Sequence, residues 1–467
     1  MIARAFATVL LSAALGSAPV LADENKDLDL IPQGARQPAS SSPMQPISSD
    51  RRQRIDLEES FAVSSMRDAL LVPSPPPDPP DWEERLLLDV RKQWSLASRV
   101  NATYSGRLNL RAADGLPVRN HENVIHDLRE GYASWEPLDR TYLDLGRINL
   151  KSGVALGFNP TDFFKTRAVV EPLSADPSVL REDRLGTLMV RGQRIWEGGS
   201  LTAAFAPALF DPSPIYRDND LPSFDPMLDR TNAYDRALLK GSVQVARDFS
   251  PEFLFYREGG QSRFGANITE SISQAVVGYA EWSGGRRTSL IDDALRFGRL
   301  TGTLQAHAPS ALPEDSNRSF QSEVSLGAAY TTETKITFNL EYHFNQAGFS
   351  RQDWNNWFAA GRGSRSIASE LWFIRGYASD QQQPISRHSI FLRFDWVDAL
   401  VPRLELAGFI NTDLYDGSGL LQLSADYYAS DAWTVGGLVT ANLGTSRSDF
   451  GSLPQAWNLR LKVARYF

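Results

Sequence analysis

The sequence predicts an all-β fold, a transmembrane antiparallel β-barrel of about 16 strands, behind an N-terminal extension that is part disordered and part helical. Three observations carry this reading. The chain opens like an exported protein, its larger part alternates polar and apolar residues with a period of two, and its last segment is such an alternation ending on an aromatic residue.

The first 22 residues read as a cleavable export signal. Arg4 gives a positive start, Ala5 to Leu15 a short apolar stretch, and Val20-Leu21-Ala22 the small or apolar residues of a cleavage point. That stretch is too short to cross a bilayer as a helix, which needs about 20 residues. A buried N-terminal helix competes poorly, because the charged run Asp23-Glu24-Asn25-Lys26 follows at once.

Composition narrows the destination. With no Cys among 467 residues, there is no disulfide framework, thiolate metal site or thiol nucleophile. A mean hydropathy of -0.31 and the lack of any long apolar run exclude a helical membrane protein. A barrel strand, by contrast, crosses lipid while averaging polar, since only alternate residues face the bilayer. A net charge of -8 and a pI of about 5.4 argue against a nucleic-acid partner, which would need a basic surface.

Residues 23–92 differ from the rest. Gln33 to Pro46 is rich in Pro, Ser and Gln and reads as disordered. Arg51 to Leu71 is predicted helical from the spacing of Ile55, Leu57, Phe61 and Met66, and Pro73 to Pro80 is a stiff polyproline spacer. The segment reads as a periplasmic extension, either a plain tether or a piece that docks a partner or plugs the lumen. The domain plan is then 1–22 signal, 23–92 extension and 93–467 barrel.

From Trp94 onward the period is two. Leu96, Val100, Ala102, Tyr104, Leu108 and Leu110 share one face of the first strand, while Arg99, Asn101, Thr103, Ser105, Arg107, Asn109 and Arg111 share the other. Ile336, Phe338, Leu340, Tyr342 and Phe344 alternate with Lys335, Thr337, Asn339, Glu341 and His343, and similar runs follow at 390–396, 421–427 and 433–443. Short connections near 137–140, 197–199, 250–251, 332–334, 399–402 and 430–431 alternate with long ones near 150–184, 210–234, 284–319, 345–387 and 444–455. Barrels of the outer membrane join strands in this way, with short periplasmic turns and long external loops. Strands near 123–136, 141–149 and 185–196 alternate poorly. A soluble β-sandwich is the competing fold, but aromatics such as Tyr342, Phe344, Trp396, Tyr427, Tyr428, Trp433 and Trp457 sit at the ends of apolar rows, where a membrane girdle would place them.

In the last segment, Trp457, Leu459, Leu461, Val463 and Phe467 alternate with mostly polar neighbours. This resembles the C-terminal strand of bacterial outer-membrane barrels. The resemblance implies that Phe467 is the signal read by the barrel-assembly machinery. Gly146-Arg147-Ile148-Asn149, followed by Gly153 to Asp162, resembles a segment of uncharacterised Gram-negative outer-membrane proteins of porin type, and a general likeness to porins runs from Trp94 to Phe467. It implies a cell outer-membrane location, with lipid and lipopolysaccharide around the barrel, further copies of the chain as neighbours where protomers associate, and passage of small polar solutes.

If the apolar rows face lipid, the alternate residues line a pore. Arg99, Arg107, Arg111, Arg460 and Lys462 would make one basic wall, facing acidic residues Glu281, Glu323, Glu341, Asp395, Glu405 and Asp426. Opposed walls would set up a transverse field selecting polar or zwitterionic solutes; a solvated interior with locally paired charges fits the same residues. Two loops look able to narrow the pore. Gly153 to Asp183 is aromatic around Phe158, Phe163 and Phe164, which makes Asp162, Lys165 and Arg167 the polar groups nearest a constriction. Asn345 to Pro384 carries Trp354, Trp357 and Trp372, with a short helix expected at Ser366 to Ile374. An external cap or a subunit contact is the rival reading of these loops.

Enzyme readings find little support. The five His show no metal-ligand spacing, and neither a phosphate-binding nor a dinucleotide Gly pattern is present. His388 and Ser389 are adjacent and so point to opposite faces. No cofactor, metal or catalytic residue is expected. A passive channel for small polar or charged solutes is the leading reading, an export conduit or scaffold of an envelope complex the second, and an outer-membrane hydrolase the third.

Overall fold

The computed structural model describes residues 53–67, 72–73, 80–116, 123–169, 172–215, 224–246, 249–306 and 309–467. The expected export signal, the Gln33 to Pro46 stretch and most of the polyproline run lie outside the described residues.

The described chain forms eighteen antiparallel strands: β1 Gln53–Met66, β2 Trp82–Ala97, β3 Val100–Ala113, β4 Val124–Leu138, β5 Thr141–Ile148, β6 Thr187–Trp196, β7 Gly199–Ala206, β8 Arg236–Val243, β9 Glu252–Glu258, β10 Gln261–Ser271, β11 Val276–Arg287, β12 Ser319–Thr331, β13 Ile336–Asn345, β14 His388–Trp396, β15 Leu404–Asp413, β16 Gly419–Ser430, β17 Trp433–Leu443 and β18 Gln455–Tyr466. Each strand pairs with its neighbours in sequence, and β1 also pairs with β18, from Asp56 opposite Tyr466 to Ser65 opposite Trp457. The sheet therefore closes on itself and leaves no free edge.

Period-two sequences form these strands because successive side chains leave opposite faces of the pleat. Along β13, Phe338 and Leu340 are exposed outward, while Asn339, Glu341, His343 and Asn345 are buried inside. The same division holds around the ring. Phe61, Leu86, Leu145, Phe205, Leu239, Phe253 and Leu461 stand exposed on the outside, against Asn109, Asp144, Glu281, Glu323 and Arg460 within. An apolar exterior belt around a polar interior inverts the soluble pattern and is that of a transmembrane β-barrel.

The two rims differ as the loop lengths predict. At one rim, two-residue turns such as those holding Arg99, Arg140 and Gly198 take positive φ (65°, 57° and 79°), as tight hairpins demand. At the other, connections 149–186, 207–235, 288–318 and 346–387 carry the helices α1 Pro177–Asp183, α2 Leu228–Thr231, α3 Leu290–Leu300, α4 Arg351–Ala360 and α5 Arg365–Asp380. The helix expected at Ser366 to Ile374 is the core of α5.

The N-terminal region departs from expectation. Gln53–Met66, inside the predicted helix, is strand β1, and residues 82–92, assigned to the extension, belong to β2. The barrel wall starts at Gln53, not at residue 93. The sixteen strands β3 to β18 correspond to the expected number, and the additional two come from this segment. Ile55, Leu57, Phe61 and Val63 do alternate, but Glu59 occupies their outward row and the adjacent Glu58-Glu59 masks the period. In β2 the run Leu86-Leu87-Leu88 hides it, because Leu87 is buried inside the barrel.

Candidate pore constriction

The connection between β5 and β6, residues 149–186, does not project outward. It crosses the barrel interior, held at three places by different chemistry.

The first hold is polar. Glu281 of β11 accepts hydrogen bonds from the backbone N–H groups of Val154 and Ala155 and from the Thr161 hydroxyl at 3.1 Å. Glu341 of β13 accepts from the N–H groups of Leu156 at 2.6 Å and Gly157 at 2.8 Å, and from the Tyr279 hydroxyl at 2.7 Å. Two carboxylates thus take four consecutive amides, and charge-assisted bonds of this kind are about twice as strong as neutral ones. Ser325 adds a donor to the Phe158 carbonyl at 2.6 Å. Gly157 permits the approach, because a Cβ there would lie 2.6 Å from Phe391 and 2.7 Å from His343.

The second hold is apolar. Phe163 stacks on Tyr256 with ring centroids 4.6 Å apart, and Phe164 meets the same ring edge-on at 5.8 Å. Around them the inner wall of β5 to β9 carries Ile148, Met189, Ala204, Ala206, Leu238 and Leu254, all buried. This dry patch explains the poor alternation of β5 and β6: Ile148 and Met189 are apolar inside because the loop rests on them.

The third hold spans the far side. Asp176 caps α1 by accepting from Ser178 N at 2.9 Å, with Pro177 at the first helical position, and also binds Arg393 of β14 at 2.6 Å. Gln422 of β16 accepts from Ala175 N at 2.9 Å. At the end of α1, Asp183 binds Arg107 of β3 at 2.9 Å and Arg129 of β4 at 3.0 Å. Between that wall and the loop lies a recess whose lining is charged on one side, through Arg107, Asp127 and Asp183, and apolar on the other, through Val169, Pro172, Leu173, Leu180 and Leu185.

The polar groups expected at the aperture sit elsewhere. Asp162 is buried inside the loop, where Arg184 holds it at 2.8 and 3.1 Å. Burial opposes its charge, but the guanidiniums of Arg184 and Arg181 outweigh this and hold the carboxyl below its usual range. Lys165 is equally enclosed. Its ammonium donates to the Asn159 carbonyl at 2.7 Å and lies 4.2 Å from the centre of the Phe158 ring. Burial pulls its pKa down to about 8, against the pull of Glu323 and Asp162. Arg167 faces the cap and binds Asp380 of α5 at 3.3 Å. All three hold the loop together instead of lining an aperture, because a loop crossing a barrel needs its own buried ion pairs.

Trp354 and Trp357 are likewise not in the constriction. They form, with Leu290 and Leu295 of α3 and Leu371, Trp372 and Ile374 of α5, the apolar core of a helical cap in which Trp357 is fully buried. Asp380, bound by Arg167 and Arg230, ties that cap to the constriction loop.

The charges expected as opposed walls are paired locally. Glu83 of β2 binds Arg85 at 2.8 Å, Arg111 at 2.6 Å and Arg460 at 3.0 Å, and Arg107 is shared between Asp89 and Asp183. Lys462 pairs with Asp426 at 2.9 Å. On the other side, Glu323 is held between Arg263 and Arg287, Asp395 binds Arg393 at 2.6 Å, and Glu405 accepts from the Tyr428 hydroxyl at 2.8 Å. Tyr428 therefore points inward and is not part of the girdle. Arg99 lies in the turn between β2 and β3, exposed and paired with Asp139 at 2.8 Å, and so leaves the lumen altogether. Glu83 and Asp89, which neutralise the basic side, fall in the segment read as extension. Sequence reasoning also missed Arg129, Asp176, Asp183 and Arg184; the sequence Asp176-Pro177 carried a helix-cap signal that could have marked the first of the loop's contacts.

His343 Nε2 lies 2.7 Å from Glu341, and its Nδ1 is 3.4 Å from the Ser389 hydroxyl. All three are buried, with Phe158 and Phe391 packed on the imidazole, and the carboxylate is already engaged by loop amides. Phe467 is exposed at the short-turn rim, its ring 4.7 Å from the Arg465 guanidinium.

No family model matches the chain, and no curated protein matches it in sequence. Among solved structures it is similar to Pseudomonas aeruginosa OccK11 (OpdR), 12% identical, with 89% of this chain and 95% of that one covered and a TM-score of 0.49. Pseudomonas aeruginosa OpdQ is 10% identical with 89% and 98% covered and a TM-score of 0.49, and Acinetobacter baumannii OccAB4 is 9% identical with 89% and 97% covered and a TM-score of 0.48.

Proposed function

We propose that this protein is an outer-membrane channel of porin type, passing small polar or charged solutes through a lumen narrowed by the loop 149–186. The observation that carries the reading is the closed barrel with an apolar exterior, a polar interior and a loop laid across that interior. Such a wall is stable in a bilayer or a micelle and not in water, and polar side chains facing a lumen serve solutes that keep their water. Locally paired charges make the passage polar without giving it one net sign, so the channel favours neither anions nor cations strongly. Phe467 acts as the assembly signal, and lipopolysaccharide surrounds the long-loop rim.

The test is single-channel conductance of the refolded protein in a planar bilayer under a salt gradient. Discrete steps with a reversal potential close to zero are expected. Silence from protein shown to be folded would overturn the channel reading, and a strongly one-signed reversal potential would overturn the paired lumen.

A further inference from the structure

The outer face of the wall carries a feature that solute passage does not use. Along β9 to β12, just below the long-loop rim, Phe255 and Phe264 pack with ring centroids 5.5 Å apart on opposed positions, and Phe264 stands opposite Gly284. Trp282 and Phe320, stacked at 6.4 Å, fold over that glycine, whose missing side chain makes room for both rings. The result is a flat aromatic shelf on the outside of the barrel. Immediately above it are three exposed arginines, Arg257 and Arg286 on the same outward face and Arg318 in the residue before β12.

Their setting is unusual in two respects. Every inward arginine of this sector has an acidic partner: Arg236 binds Glu258, and Arg263 and Arg287 bind Glu323. Arg286, one residue from Arg287, points the other way and, among the described residues, meets only the Arg318 carbonyl at 3.4 Å. The sector is also low on its β9–β10 side, where the connection is the two-residue turn Gly259-Gly260, with φ of 52° and 83°; the long connection 288–318 follows on its β11–β12 side.

We propose that this face is a binding site for a lipid carrying phosphate on its headgroup, with the phosphate held by Arg257, Arg286 and Arg318 and the acyl chains lying on the aromatic shelf. The inference rests on the reading of the chain as a membrane-embedded barrel. Guanidinium is the group best matched to phosphate, offering paired donors in a fixed plane, and aromatic rings belong at the level where headgroup meets chain. Among the described residues none of the three is paired with an acid, and three such charges at that level call for an anion that is itself anchored in the leaflet. A second copy of the chain fits less well, since the outward acids stand away from the arginines: Glu59 and Glu84 on β1 and β2, across the barrel, and Glu270 at the short-turn end of β10.

The test uses the full chain in detergent, titrated with bis-phosphorylated lipid A, the same lipid without its phosphates, and phosphatidylcholine, with retained lipid counted by native mass spectrometry. The wild type is expected to retain the phosphorylated lipid at least about tenfold better than the dephosphorylated one, in line with loss of charged hydrogen bonds. The triple variant Arg257→Gln/Arg286→Gln/Arg318→Gln should lose that preference and keep its single-channel conductance, since none of the three faces the lumen. Equal retention by the variant would overturn the proposal, as would complete displacement of the lipid by inorganic phosphate, which would mark a simple anion site. The chain has no cysteine, so Ser262→Cys, between the arginines, reports on the remaining occupant. Efficient disulfide-linked dimers would assign the face to a second copy. Lipid retention without conductance would instead count against the channel and leave this site standing.

Discussion

Two of the three sectors that hold the loop crossing the lumen do so by opposite means. On β5 to β9 the inner face is dry, and Phe163 and Phe164 are held by burial against Tyr256, Leu238 and Leu254. On β11 and β13 the inner face is acidic, and Glu281 and Glu341 hold bare backbone. Apolar contact is non-directional and tolerates small slips of register, whereas four amides shared by two carboxylates fix the chain to within a hydrogen bond. The dry sector supplies attachment, and the acidic sector sets where the loop lies.

The strongest way to break this division is to remove both carboxylates. In Glu281→Ala/Glu341→Ala the amides of residues 154–157 lose their acceptors, at about 1–3 kcal/mol for each one left dry. The loop is expected to leave the β11–β13 wall and widen the path, read as a rise in single-channel conductance with the barrel still folded by circular dichroism. An unchanged conductance would show that the loop does not set the aperture.

Removing the apolar hold should cost stability more than position. Phe163→Ala is expected to destabilise by about 3–5 kcal/mol, the usual cost of emptying a buried Phe site, measured by urea unfolding in micelles. Conductance should become noisier while keeping its main level, because Glu281 and Glu341 still fix the loop.

A smaller effect separates the two holds by pH. Lys165 sits between them, and burial lowers its pKa from 10.5 to about 8. Between those values the unfolded chain binds more protons than the folded one, so stability rises with pH across the window. Below about pH 8 the group is charged in both states and the penalty is present in full. Thermal melts from pH 7.5 to 10 should show the rise, and Lys165→Met should abolish it. The smallest change expected is at Arg99. Its exposed pair with Asp139 is worth at most about 1 kcal/mol, so Arg99→Ala should leave both stability and ion preference within error.

The same contrast explains what could be read in advance. β13 was legible because its inner face is polar: Asn339, Glu341 and His343 stand out against Phe338 and Leu340. β5 and β6 were blurred because the loop turns their inner face into core, so Ile148 and Met189 imitate a lipid face. β1 was misread through a single outward acid, Glu59. Of the constriction, the aromatic content of 153–183 announced a packed loop, and Glu281 and Glu341 announced inward acids. Nothing local in the sequence tells a carboxylate that its partner will be the amides of Val154 to Gly157, more than a hundred residues away. Charge pairing was lost for the same reason: Glu83 and Asp89 had been placed outside the wall, so Arg107, Arg111 and Arg460 looked unopposed.

The seam between β1 and β18 has a consequence for how such a molecule comes into being. Asn458 donates to Ser64 across 394 residues of chain, so the ring is completed by its two most distant strands. A partly built wall has two raw edges, each offering a row of unpaired amides and carbonyls to any passing strand. Joining ends so far apart is slow, since chain entropy is spent before the contacts repay it. The vulnerable period therefore lasts until the final strand arrives. A nascent chain stalled at β17 would expose both an oily flank and two adhesive margins, and chaperoning is needed most at that stage.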